Sequence, residues 1–227
     1  MRRALTVTFL VMLPHAGWAQ YSNPFNGMQW GNPTSAMLDT MLSADIQRMG
    51  WQKQLDKGTG VARVQRGRVH APLASTDFRP PAKGHPTVDA FVASTSADPA
   101  TQQQYRAAVE SAFTAIGRAR GNNLATAIAA TIGTARSILD GREMPDGELS
   151  ALRVSINDAL ARSPDFSRLH PRDKQAMYDA LVIETALLGL SAAASQKDPA
   201  FRQTAVNLAY QILTQMTGSA PAAPASQ

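Results

Sequence analysis

Few side chains in this chain have the type and spacing to do chemistry, and Glu184 comes first. It follows Met177 and Leu181 and precedes Leu188 at steps of four, three and four residues, in line with the apolar stripe of a helix. A carboxylate in such a stripe must be paired, protonated or turned to a polar cavity, because burying a lone charge is expensive. Arg136, amid the apolar residues of an earlier helix, and Asn207, in the last helix, are its candidate partners. The group reads as a structural polar pair or as a ligand-binding or acid–base carboxylate.

A second cluster is the acidic turn of Asp140, Glu143, Asp146 and Glu148, which also contains Gly141 and Gly147. Four hard oxygen donors could hold calcium, but the alternating ligand spacing of a calcium loop is missing. Asp146 and Glu148 also fit the first turn of a helix, where they complement its dipole. His70, His85 and His170 are too scattered along the chain to define a shared metal. There is no His-Glu-x-x-His, Gly-x-Ser-x-Gly, Ser-x-x-Lys or Gly-Lys-Ser/Thr sequence. With no cysteine, thiolate metal sites, a thiol nucleophile and a disulfide scaffold are excluded. No catalytic residue, metal or cofactor is implied.

The third feature is basic. Between residues 53 and 85, Lys53, Lys57, Arg63, Arg66, Arg68, Arg79 and Lys83 face Asp56 and Asp77, seven bases against two acids and a local +5. Without Arg2 and Arg3 the chain holds 20 bases and 17 acids, so everything outside this segment is at −2. Arg63, Arg66 and Arg68 are candidate contacts for an anionic envelope polymer or lipid headgroup. Nucleic acid is a weaker partner, because no aromatic ladder interleaves the bases. The same run also reads as a solvated connection, or as a strap pairing with the acid-leaning remainder.

The elements that would position these groups begin after an export signal. Arg2 and Arg3 precede the apolar run Leu5 to Leu13, then Pro14 and a small-residue stretch ending at Ala19. That is the pattern of a secretory signal peptide over residues 1–19. About nine apolar residues cannot cross roughly 30 Å of hydrocarbon. The exported chain, periplasmic or secreted, would begin at Gln20. Residues 20–56 form an arm and a helix marked by Met37, Leu38, Met41, Leu42, Ile46 and Met49. Residues 57–86, rich in Gly and Pro, read as a basic linker or a strap that Val64, Val69, Leu73 and Phe78 could anchor.

Residues 87–218 then alternate helical stripes with punctuation. Val88, Phe91 and Val92 mark a short helix. Asp98-Pro99 caps the next one, which carries Tyr105, Val109, Ala112, Phe113 and Ile116 and stops at Gly121, placed for a left-handed turn. Leu124 to Leu139 follows, with Ala125, Ala129 and Gly133 as a small-residue row that lets a neighbour approach. Pro145 opens a helix that Pro164 closes, Pro171 opens one reaching about Ser195, and Asp198-Pro199 opens the last, with Gly218 as its stop. Asp-Pro-Ala at 98 and 198 is followed by apolar positions in matching register, a pattern that a duplicated helix or two ordinary amphipathic helices would produce equally. The helix from Pro171 is apolar nearly all round, which predicts a central core helix too short to span a membrane. Residues 219–227 are predicted to be a disordered tail.

In residues 164–181, Pro164 and Phe166 followed by Gln175, Tyr178, Asp179 and Leu181 resemble an uncharacterised family of bacterial secreted helical proteins. Thr76-Asp77-Phe78-x-Pro80 fits the same pattern. The resemblance covers the C-terminal two-thirds of the chain and implies a secreted all-α protein, with no assigned activity. The expected fold is therefore all-α, a single bundle of five to six helices with an N-terminal helix and an extended basic strap or linker. The expected function is a secreted or periplasmic non-enzymatic binding protein of unknown partner, either a protein or an anionic envelope component. The rival is a small helical enzyme or ligand-binding protein with a polar site around Glu184 and Arg136.

Overall fold

The structure, a computed structural model, describes residues 69–81 and 83–217. The signal segment, the arm and helix of residues 20–56, the tail, and Arg63, Arg66 and Arg68 lie outside them.

Seven α-helices and no strand are present among the described residues: α1 (Pro86–Thr95), α2 (Pro99–Arg120), α3 (Leu124–Asp140), α4 (Asp146–Arg162), α5 (Pro164–Arg168), α6 (Pro171–Lys197) and α7 (Arg202–Thr217). Five of the seven carry proline in the first turn or its 3-10 lead-in, where a missing N–H costs nothing. Asp98 caps α2 by accepting from the N–H groups of Ala100 and Thr101. Gly141 ends α3 in the left-handed region at φ 65°, as its position predicts.

Several boundaries differ from the sequence reading: α1 begins at Pro86, inside the expected linker, and Pro164 opens the short helix α5 as well as following α4. At the end of α2, Gly121 is extended at φ −70°, and the left-handed residue is Asn122 at φ 51°. Asparagine tolerates that conformation, so the turn falls one residue later. The last helix begins with a 3-10 turn, Pro199–Phe201, before α7 proper.

Helix α6 is the axis of the bundle, packed against α1, α2, α3 and α7, while α3 also packs on α4 and α7. Met177, Leu181, Val182, Ile183 and Leu188 of α6 meet Ile128 and Ile132 of α3 in a continuous buried core. A buried hydroxyl pair, Thr131 to Thr185 at 3.0 Å, ties α3 to α6. At 27 residues α6 is not too short for a bilayer: by length and composition it could cross one. What makes it a core helix here is that 56% of its apolar window is buried within the bundle. The small-residue row does admit a neighbour, since a methyl on Gly133 would meet Leu149 Cδ1 at 2.9 Å.

From Val69 to His85 the chain is a strap laid on the bundle, with one 3-10 turn at Leu73–Thr76 packed against α4 and α3. Phe78 anchors it by meeting the ring of Tyr178 edge-on at 5.5 Å. Leu73 is half-buried, whereas Val69 is 93% exposed and anchors nothing. Val64 lies outside the described residues.

Candidate functional site

The polar chemistry of the described residues converges on the seam between strap and bundle. Helix α4 contributes Asn157 and Asp158, consecutive residues that are both buried. Asn157 donates from Nδ2 to the carbonyls of Ala71 and Pro72, each at 3.0 Å, and accepts from Thr76 Oγ1 at 2.8 Å. Asp158 accepts from the Ala71 N–H and from His70 Nδ1, both at 2.7 Å, and pairs with Arg162 one turn on at 3.1 Å. Burial pushes the Asp158 carboxyl up, but the bonds from His70 and Ala71 and the charges of His70 and Arg162 outweigh it and hold it below 3.8.

The middle of the seam is built on the start of α3. Asn123, fully buried, caps α3 through Oδ1, which accepts from the N–H and hydroxyl of Thr126 at 2.8 Å. Its Nδ2 points the other way, to the Leu73 carbonyl, Thr76 Oγ1 and Asp77 Oδ1. One side chain thus starts a helix and holds the strap. Beside it, the Asn122 carbonyl accepts from the Phe78 N–H at 2.9 Å, which gives the left-handed turn a packing role. Asp77 also takes a two-pronged bond from Arg120 at the end of α2. That bond, with help from Asn123, holds the Asp77 carboxyl below its ordinary range.

The far end of the strap rests on α6. Gln175 Nε2 donates to the Gly84 carbonyl at 2.9 Å, and one turn later Asp179 meets His85 Nδ1 at 2.7 Å. Asp179 is fully buried, and its Oδ2 has no hydrogen-bond partner. Burial pushes the Asp179 carboxyl up to about 6, against the bond and charge of His85, with Asp89 adding to the rise. The His85 ring is 40% exposed and lies 4.0 Å from the ring of Phe113, which in turn faces Tyr178. Burial also raises the Tyr178 phenol.

The residues singled out from sequence fare differently. Glu184 is only half-buried, and the fully buried carboxylate of α6 is Asp179, one turn and a half earlier. The stripe of Met177, Leu181 and Leu188 is buried as expected, but α6 is surrounded so broadly that lying in line with it does not decide burial. Arg136 forms an ion pair with Asp140 one turn on at 3.3 Å. Asn207 is exposed and bonded to Gln203 of its own helix, so it is not a partner inside the bundle. Among the acidic turn residues, Asp146 and Glu148 occupy the first turn of α4 and Asp140 belongs to Arg136. No group of three or more His, Asp or Glu residues that could hold a metal occurs among the described residues. His70 and His85, read as scattered, each meet a buried aspartate.

Most residues that carry the family resemblance line this seam or the core behind it. Thr76, Asp77, Phe78, Gln175, Tyr178 and Asp179 hold the strap, and Phe166 lies buried under Lys174, whose ammonium sits 4.3 Å from its ring centroid. A family model, described as a family of unknown function (DUF6683), matches residues 2–222. The chain belongs to that family. The match extends well beyond the C-terminal two-thirds that the resemblance covered. No curated protein and no solved structure matches the chain.

Proposed function

We propose that the protein is an exported, non-enzymatic helical interaction module that binds an anionic envelope component through the basic segment preceding its strap. The observation that carries this reading is where the seam's polar side chains are directed. Asn123, Asn157, Asp158 and Gln175 all direct polar atoms to backbone groups of the strap. Their chemistry fixes a chain path. That path enters the bundle at His70 and Ala71, immediately after Arg68 and the exposed Val69. The signal-like N-terminus, with Arg2, Arg3 and the apolar run to Leu13, supports export. A bacterial envelope setting also accords with the resemblance of residues 164–181.

The test is retention of the processed chain on vesicles containing anionic lipid and on an acidic polysaccharide, against neutral vesicles, across a salt gradient. Retention is expected to fall as added salt shortens the screening length to about 8 Å at 0.15 M. Replacing Arg63, Arg66 and Arg68 together by Ser is expected to abolish it. Equal retention of the triple variant, or retention indifferent to salt, overturns the proposal.

A further inference from the structure

The strap is fastened at its two ends by the same pair of residue types, His70 on Asp158 and His85 on Asp179, each at 2.7 Å. In both pairs the aspartate is buried on the bundle and the histidine, on the strap, is partly open to water. We propose that these pairs make the strap a proton-gated latch, held at acid pH and loosened from its His85 end as pH rises towards neutrality.

The two ends are not equivalent. At the His70 end, Asp158 has two further partners that compensate its charge, the Ala71 N–H and the Arg162 guanidinium. At the His85 end, Asp179 meets His85 through Oδ1, and its Oδ2 has no hydrogen-bond partner among the described residues. While the pair carries a proton, the buried carboxylate is either neutral or matched by an imidazolium. Once that proton is lost, a buried negative charge faces a neutral ring. Lifting the strap admits water and relieves this cost.

The surrounding charges favour the same sign. Asp89 of α1 raises the proton affinity of Asp179, and Arg106 of α2 moderates it through a 2.9 Å bond to Asp89. Tyr178 of α6 feels the Asp179 charge, Lys174 of α6 lies over Phe166, and Phe113 of α2 offers the imidazole only a ring face. Asp179 rises from 3.8 to about 6, so between those values the docked state binds more protons than the released one. Holding is therefore complete below about 3.8 and is lost as pH rises through about 6. Asp158 is shifted the other way, so its end stays fastened over the same range.

The test is amide hydrogen exchange of the full processed chain between pH 5 and pH 8, corrected for intrinsic exchange and referred to core amides of α3. The reporter at the His85 end is the Asp89 N–H, bonded to the His85 carbonyl at 3.0 Å, and at the other end the Ala71 N–H. Protection at Asp89 is expected to fall about tenfold or more from pH 5 to pH 8 while Ala71 holds its ratio to the core. The Asp179→Asn and His85→Gln variants are expected to remove that dependence. Constant protection at Asp89 in the unaltered protein, a fall shared equally by the core, or the same dependence in both variants overturns the latch.

Discussion

The hydroxyl of Thr76 and the side chain of Asn157 are joined by a 2.8 Å hydrogen bond in the fully buried part of the seam, 81 residues apart in sequence. Asn157 also serves two strap carbonyls, so Asn157→Ala takes a bond from each of three strap groups, of which the Pro72 carbonyl keeps the Ser75 N–H and Thr76 keeps Asn123 while the Ala71 carbonyl loses its side-chain donor. Each unsatisfied buried group costs about 1–3 kcal/mol, and relaxation recovers part of it. A loss of about 2–4 kcal/mol in urea unfolding is expected. Thr76→Val should cost less, because Asn157 keeps both carbonyl bonds.

How much of this was legible in the sequence follows from the range of the interactions. Helix starts at Pro99 and Pro171 are local signals, set by a cap and a ring within a few residues, and they fall where expected. The seam joins residues such as His85 and Asp179, 94 apart, and no local period links them. A signal did exist. Gln175 and Asp179 stand one turn apart on a helix that is otherwise core, and a polar pair in that position calls for a partner from elsewhere. Glu184 lies in line with three apolar residues, but a helix buried on most sides makes that alignment uninformative.

Removing the Asp158 carboxylate should change stability and its pH dependence together. Its pKa is held below 3.8, so its contribution is complete above that value and is lost as pH falls through the lower, folded one. Asp158→Asn is therefore expected to cost about 1–3 kcal/mol at pH 7 and to flatten the acid limb of the stability curve below pH 4. Urea midpoints measured from pH 2 to pH 7 check both parts. An acid limb as steep as that of the unaltered chain would assign the loss to other carboxylates.

Arg79 and Lys83 lie within the fastened part of the strap, with Phe78 held on one side and Gly84 and His85 on the other. A protease needs a longer open backbone than these anchors leave. Limited trypsin digestion at pH 5.5 is expected to spare both sites while the bundle is folded. Asn123→Ala, which removes three strap contacts together with the α3 cap, should expose them. Early cleavage at Arg79 in the unaltered chain would mean the strap is not docked in solution.

Gly133 separates close packing from helix propensity. Alanine there gains up to about 1 kcal/mol of helix preference, but its methyl would come within 2.9 Å of Leu149 Cδ1 and 3.6 Å of Met144 Sδ. Both neighbours are the ends of flexible side chains, and Leu149 is only half-buried, so they can shift. Gly133→Ala is expected to change stability by less than about 1 kcal/mol. Gly133→Leu has no room and should cost about 2 kcal/mol or more through overpacking. Thermal unfolding of the two variants tests the close approach directly.

The carboxylates of α6 give the sharpest contrast, because burial and sequence alignment rank them in opposite order. Glu184 is half-buried, and Glu184→Ala is expected to cost about 1 kcal/mol or less. Asp179 is fully buried against His85, and Asp179→Ala takes away the imidazole's partner and leaves a void where the carboxylate stood. A cost of about 2–4 kcal/mol follows. Asp179→Asn keeps the shape and can still bond the imidazole, so it should recover more than half of that loss at pH 7, where the buried charge is itself unfavourable. Urea unfolding of the three variants at pH 7 orders them, and a larger loss for Glu184→Ala than for Asp179→Ala would move the buried carboxylate back to position 184.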